Sequence, residues 1–287
     1  MKTIIIAGEH SYIGDRFQKW LARTPEDYQI RTVSLRTDAW RKADFSGCDA
    51  LFHVAGIAHQ KETAENAPLY YAVNRDLAYL VAKKAKAEGV KQFIFLSSMS
   101  VYGRASGQID SATVPMPNTH YGRSKLAAEA LLTTLACERF VVSILRPPLV
   151  FGPGCKGNYP RLSAMARRLP LFPACANARS MVFVDHLCEA VRRVIEARTP
   201  GLFFPQEARY VDTGKLMVQI ARAHGKRLWS VHGFSWAVKA LSRCGGTWEK
   251  VLGSLTYDQK MSDAPAGYRL FTLEEAIDQT EMEGWPG

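Results

Sequence analysis

Short, nearly unbroken apolar runs recur along the first half of the chain, at Ile4–Ala7, Ala50–Val54, Phe93–Leu96 and Val141–Leu145. Runs of this length without alternation fit strands buried on both faces, and strands buried that way belong to parallel sheets. Gln29–Leu35 reads as a further strand. Helical patterns lie between them. One begins at Ile13 and sets Phe17, Trp20 and Leu21 on one side before Thr24-Pro25 ends it. A longer one spans residues 66–88, with Leu69, Val73, Leu77, Leu80 and Val81 at helical spacing and Gly89 as its C-cap. A third covers Tyr121–Leu135. Parallel neighbours need crossover connections, so this alternation predicts an α/β fold built on a doubly wound parallel sheet.

After Phe151 the character changes. Gly152-Pro153-Gly154 and Gly157 open a loop-rich stretch, a strand and helix over Met181–Ile195 are expected to return to the sheet, and Thr213–His224 reads as a helix. A smaller C-terminal α/β lobe over the carboxyl edge of the sheet follows, where ligands bind in such folds. Trp229, Trp236 and Trp248 are expected to pack in its core, with a cover over the bound ligand as the alternative.

Of the 287 residues, 22% are charged, an ordinary share for an ordered chain, and the net charge is +10. A basic balance suits anionic partners, whether nucleic acid, a membrane surface or a phosphorylated small molecule; it also suits plain solubility. No basic tract interleaved with aromatics appears, so nucleic acid is not expected as a partner. No stretch nears the ~20 apolar residues of a membrane span, so no membrane is expected either. The six cysteines form no C-x-x-C pair, which argues against a metal and for reduced thiols in a cytoplasmic protein.

Chemistry enters with Gly8-Glu9-His10-Ser11-Tyr12-Ile13-Gly14, between the first strand and the first helix. Gly8 permits a tight turn, the amides from Ser11, Tyr12 and Ile13 can meet a pyrophosphate at a helix N-terminus, and Gly14 lets helix and strand pack closely. Ser11 stands where a middle glycine is usual, and a turn without any ligand would look similar. The position that selects the cofactor, just past the second strand, holds Arg36. An arginine there suits a ribose 2′-phosphate, so NADP is favoured over NAD, although Asp38 could bend back to serve NAD. Further on, Tyr121 and Lys125 stand four apart at a helix start and share a face. An ammonium beside a phenol lowers the phenol's pKa, which would let Tyr121 trade a proton with a substrate oxygen near neutral pH. Ser98, at the tip of the Phe93–Leu96 strand, supplies a third donor. Alone, the Tyr/Lys pair would be no more than a solvated helix face; its place after a phosphate loop and a serine-tipped strand is what gives it weight.

These stretches, with His53-Val54-Ala55-Gly56, Asn74, Ser97–Gly103, Tyr121–Glu129, Arg146–Gly154 and Val184–Leu187, resemble in order the nucleotide-sugar epimerase/dehydratase branch of the extended short-chain dehydrogenases, across about residues 1–190. The resemblance implies a Rossmann dinucleotide-binding domain over 1–152, to which 180–200 return, and a substrate lobe made of 153–179 and 201–287. It implies Tyr121 as acid/base, Lys125 as its partner and Ser98 at the reacting oxygen. Asp44 and Phe45 would meet the adenine, Ala55, Gly56 and Asn74 would lie along the cofactor, and Ser98, Met99, Asn158 and Arg179 would face the substrate. It also implies a homodimer through the helices of 66–88 and 121–135. The family's dehydratases carry an Asp-Glu pair after the catalytic hydroxyl residue. Met99-Ser100 stand here instead, which disfavours dehydration. Epimerisation at C4 of a nucleotide-diphosphate sugar, UDP-linked, is expected, with an NADPH-dependent 4-ketoreductase as the alternative and a non-catalytic dinucleotide sensor as a reading of another class.

Overall fold

The computed structural model describes residues 1–58, 60–174, 177–231 and 253–283. The first part runs β1 (Lys2–Ala7), α1 (Tyr12–Leu21), β2 (Tyr28–Val33), β3 (Ala50–His53), α2 (Ala67–Tyr71), α3 (Ala78–Ala87), β4 (Gln92–Leu96), β5 (Gly107–Ile109), α4 (His120–Thr133) and β6 (Val141–Leu145). It continues with β7 (Leu149–Phe151), α5 (Tyr159–Ala166), β8 (Leu171–Pro173), β9 (Met181–Phe183), α6 (Val184–Ala197), β10 (Gly201–Phe203), α7 (Thr213–Ala223), β11 (Trp229–Val231), β12 (Leu255–Tyr257) and α8 (Leu273–Glu283). Six parallel strands form the central sheet in the order β10-β6-β4-β3-β1-β2.

The pleat explains why the apolar runs do not alternate. Ile4, Ile6, Phe52 and Ile94 enter a core shared with Phe17 and Leu21 of α1 and Leu187 and Val191 of α6. Their neighbours Ile5, Ala7, Leu51, Phe93 and Phe95 enter a second core with Val81 of α3 and Leu132 of α4. Each strand is thus apolar on both faces because helices cover both. The chain leaves β1 toward β2 on one side and toward β3 on the other, so the crevice between β1 and β3 is the switch point where such sheets bind ligands.

Three expectations need correction. The stripe over residues 66–88 places Leu69 and Leu80 inward, but they are 48% and 39% exposed. The turn Ala72–Leu77 is π-helical, and its extra residue rotates the buried face onto Tyr70, Asn74, Ala78 and Val81. The strand at Met181 does not rejoin the sheet: β9 pairs with β7, while β10, assigned from sequence to the lobe, pairs with β6. The helix after β9 does return, since Arg16 Nε donates to Asp185 at 2.7 Å and Trp20 Nε1 to Glu189 at 3.1 Å. Finally, Trp229 is 60% exposed rather than packed in a core; Trp236 and Trp248 lie outside the described residues.

Candidate active site

The loop after β1 turns at Gly8, whose φ of +129° disfavours any side chain. A Cβ there would also sit 2.7 Å from the amide nitrogen of Ala55, so the loops after β1 and β3 touch backbone to backbone. Ser11 caps α1, its Oγ accepting from Gly14 N at 3.2 Å. The first intrahelical bond is Asp15 N to Ser11 O, which leaves the amides of Tyr12 and Ile13 pointing out of the helix end. Gly14 packs as expected, with its Cβ position 3.0 Å from Val54. The Tyr12 ring turns the other way: its hydroxyl is buried beside Gly152 without a partner among the described residues, and burial pushes that phenol far up.

Around the expected adenosine end the residues differ in availability. Arg36 is exposed, while the carboxylate of Asp38 accepts from Arg41 Nε at 2.9 Å. Asp44 is exposed and accepts from Ser46 N at 2.8 Å; the Ser46 hydroxyl first, and then this amide, hold its carboxyl below the usual range. The Phe45 ring is fully buried in the second core, and its amide already donates to Glu88 at 2.7 Å. The expectation that Phe45 meets an adenine is therefore not supported, because both its ring and its N–H are committed within the protein.

Asn74 also needs correction. It is fully buried, accepts from Ile57 N at 2.8 Å, and donates to Ile57 O at 3.2 Å and Ser124 Oγ at 3.0 Å. With its amide saturated by protein groups, it supports the loop from beneath rather than lining it. Its Oδ1 lies 3.0 Å from where a Gly56 Cβ would be, and Lys125 Nζ lies 3.1 Å from the same point. Gly56 thus lets the loop lie close over Asn74 and Lys125.

Ser98, Tyr121 and Lys125, the expected catalytic trio, lie on neighbouring elements: the turn after β4 and the first turns of α4. Ser98 is extended and caps the short turn Met99–Tyr102, its Oγ accepting from Ser100 N at 3.1 Å. The Ser98 hydroxyl, which also donates to Ser100 Oγ at 3.2 Å, lies near enough to the Tyr121 phenol to act on its proton. Lys125 is buried, donates to Leu96 O at 2.8 Å and lies 4.6 Å above the Phe95 ring. Burial lowers Lys125 to about 8, with Glu129 one turn along opposing the shift. The phenol does not follow the expected direction. Burial holds Tyr121 above its ordinary value, Ser98 works against that, and Lys125 does not enter. The ammonium is occupied by a strand carbonyl, so an acidic phenol is not a property of the protein alone.

Sequence reasoning missed the supports of this trio. Gly122 brings the first turn of α4 onto the serine turn, since a Cβ there would meet Ser100 O at 2.5 Å. Glu129 takes Ser97 Oγ and the Arg146 guanidinium, with Arg146 Nε at 3.0 Å, while Arg146 Nη1 donates to Tyr102 OH at 2.8 Å. Tyr257 of β12 donates to Arg146 O at 2.9 Å and ties the lobe to the same network. The spacing of Glu129 four after Lys125 was the available signal; its partners lie too far away in sequence to read. His53, fully buried between Phe93 and Phe95 with both ring nitrogens unpartnered among the described residues, is pushed down to about 3 by burial and is neutral.

On the lobe side Asn158 and Arg179 line one cleft with Leu149, Tyr159 and Thr213. Arg179 Nη1 donates to Gly253 O at 2.8 Å, burial lowers its pKa, and no carboxylate pairs with it among the described residues. An under-compensated guanidinium beside an asparagine suits an anionic group. No cluster of metal-ligating side chains occurs among the described residues.

A family model described as the NAD dependent epimerase/dehydratase family matches residues 4–203. The UDP-glucose 4-epimerase of Vibrio cholerae is 26% identical, over 97% of this chain and 94% of that protein. Among solved structures, RMD from Pseudomonas aeruginosa complexed with NADPH aligns with a TM-score of 0.77 at 18% identity, over 99% of this chain and 97% of the other. The UDP-glucuronic acid 4-epimerase from Bacillus cereus in complex with NAD aligns with a TM-score of 0.73 at 17% identity, over 98% and 97%.

Proposed function

The chain belongs to the NAD dependent epimerase/dehydratase family, and from that premise we propose that it is an NAD(P)-dependent oxidoreductase acting at C4 of a nucleotide-diphosphate sugar, with epimerisation as its reaction. One observation carries the reading: Ser98 acts on the phenol of Tyr121, one helical turn before Lys125, whose Nζ is 3.1 Å from the Cβ position of Gly56 on the phosphate-side loop. The residues fit a dinucleotide, since the amides of Tyr12 and Ile13 make no helix bond at the turn where Gly8 lets the loops after β1 and β3 meet backbone to backbone.

A bound dinucleotide would accept the C4 hydride at its nicotinamide ring and return it to the other face of the 4-keto sugar. The protein's own residues handle the protons and the orientation. Ser98 holds the sugar oxygen by a hydrogen bond, and Tyr121 takes or gives the proton at that oxygen. A ligand hydroxyl that drew Lys125 Nζ from Leu96 O would bring its charge nearer the phenol. The outward amides of Tyr12 and Ile13 receive the cofactor's pyrophosphate, and Arg36 favours a 2′-phosphate, hence NADP. Asn158 and Arg179 receive the sugar nucleotide's diphosphate, with UDP as the expected nucleotide. Met99-Ser100 offer no carboxylate for eliminating water, so dehydration is not part of the reading.

The division into a cofactor domain over 1–152 with 180–200, and a substrate lobe over 153–179 and 201–287, belongs to this proposal, with β10 counted to the sheet. So do a homodimer through the exposed Leu69 and Leu80 face and a cytoplasmic location. No helix of the described residues is long and apolar enough to cross a membrane. Arg36 gives specific support to a second reading, an NADPH-dependent 4-ketoreductase. The two are separated by incubating purified protein with UDP-hexoses and with a 4-keto sugar nucleotide while following NADPH absorbance. Interconversion of hexoses without net NADPH loss supports epimerisation; stoichiometric NADPH loss on the keto sugar rejects it. A Tyr121→Phe protein with unchanged biological output would favour the non-catalytic sensor.

A further inference from the structure

The loop that follows β3 runs from the cradle at Ala55 and Gly56 to the front of α4, and its carboxylate Glu62 ends on the helix. Glu62 Oε2 accepts from His120 N at 2.8 Å and Oε1 from Tyr121 N at 2.9 Å. The next amide, Gly122 N, is taken by Thr119 Oγ1 at 3.0 Å. One carboxylate therefore spans the first two amides of α4 from 58 and 59 residues away. This is not the ordinary local cap, which Thr119 already provides. A carboxylate at a helix N-terminus is favoured by the helix dipole, and two bonds to successive amides fix the rotation of the first turn as well as its position.

The same loop is fastened to α4 at a second point. Ile57 is held by Asn74, which also donates to Ser124, and Ser124 Oγ donates to Tyr121 O at 2.9 Å. The backbone of Tyr121 is thus gripped from both sides by the loop that carries Gly56: its N–H by Glu62, its C=O through Ser124 and Asn74. We propose that Glu62 is a positioning residue that ties the dinucleotide cradle to the backbone of Tyr121, so that the cofactor loop and the acid/base group keep one geometry. The proposal rests on the reading of Tyr121 as the acid/base.

The test compares wild-type full-length protein with Glu62→Gln and Glu62→Ala. The first readout needs no turnover: the amide proton resonances of His120 and Tyr121, shifted downfield by bonds to a carboxylate, move upfield in both variants. The second is kinetic. In Glu62→Ala kcat falls on the order of tenfold through misplacement of the phenol, while KM and the dissociation constant for NADPH, followed by its fluorescence, change much less. Glu62→Gln retains one acceptor oxygen and falls between. Unmoved resonances would overturn the tether itself. Moved resonances with wild-type kcat, or a KM that changes in step with kcat, would overturn the positioning role. A wild-type protein with no turnover on any sugar nucleotide would count against the functional reading instead, and the resonances would still decide the tether.

Discussion

Replacing Gly122 with alanine would set a methyl group 2.5 Å from the carbonyl oxygen of Ser100. Ordinary contact begins near 3.4 Å, so the approach is too close by 3.4 − 2.5 = 0.9 Å. The obstructing atom is backbone in the turn that Ser98 caps, and Pro117 Cβ at 3.0 Å blocks a second direction. The first turn of α4 must therefore move away by most of an ångström and carry Tyr121 off Ser98. A misplacement of about 1 Å at a reacting centre costs on the order of 100-fold in rate. Intrinsic propensity acts the other way, favouring alanine over glycine in a helix by about 1 kcal/mol, so the fold should persist. The assay pairs kcat on the best sugar nucleotide with a thermal melt. The expected outcome is kcat down about 100-fold with Tm changed by only a few degrees. Wild-type kcat in Gly122→Ala would refute the idea that close contact of α4 with the serine turn sets the site.

Other outcomes follow from the buried charges. Lys125 is lowered from 10.5 to about 8, so below pH 8 both folded and unfolded chains carry its proton and the full burial cost of about 3 kcal/mol opposes folding. Lys125→Met should therefore raise Tm at pH 7 while abolishing turnover, with the gain fading from pH 8 to 10; a lower Tm at pH 7 would contradict the shift. His53 is lowered from 6.5 to about 3, so the unfolded chain gains a proton as pH falls below 6.5 and the folded chain does not. His53→Phe should gain about 2 kcal/mol at pH 5 relative to its effect at pH 8, measured by denaturant melts at both values. Arg179→Ala should raise KM for the sugar nucleotide by about tenfold or more and leave NADPH affinity unchanged; the opposite pattern would move Arg179 out of the substrate site.

The sheet was legible because unbroken apolar runs have one economical explanation, a strand covered on both faces, and β1, β3, β4 and β6 all follow it. The placement of the proposed trio was legible because Tyr121 and Lys125 share one helix and Ser98 caps a turn directly after a strand. Legibility ended where geometry depends on distant backbone. The π-helical turn at Ala72–Leu77 rotated a face that ideal periodicity had placed wrongly. The commitment of Phe45 to Glu88, and the grip of Glu62 on His120 and Tyr121, join residues more than 40 positions apart that no local pattern links. The phenol's direction of shift was misread because spacing puts an ammonium near Tyr121 but cannot say that Leu96 O holds it.

The most direct measurement follows a UDP-hexose by proton NMR with wild-type protein and with Tyr121→Phe. The expected result is change confined to C4 in the wild type and at least 100-fold slower in the variant, the order of contribution of a general acid/base. Equal rates in the two proteins, or change at another carbon, would contradict the assignment of Tyr121 to C4 chemistry.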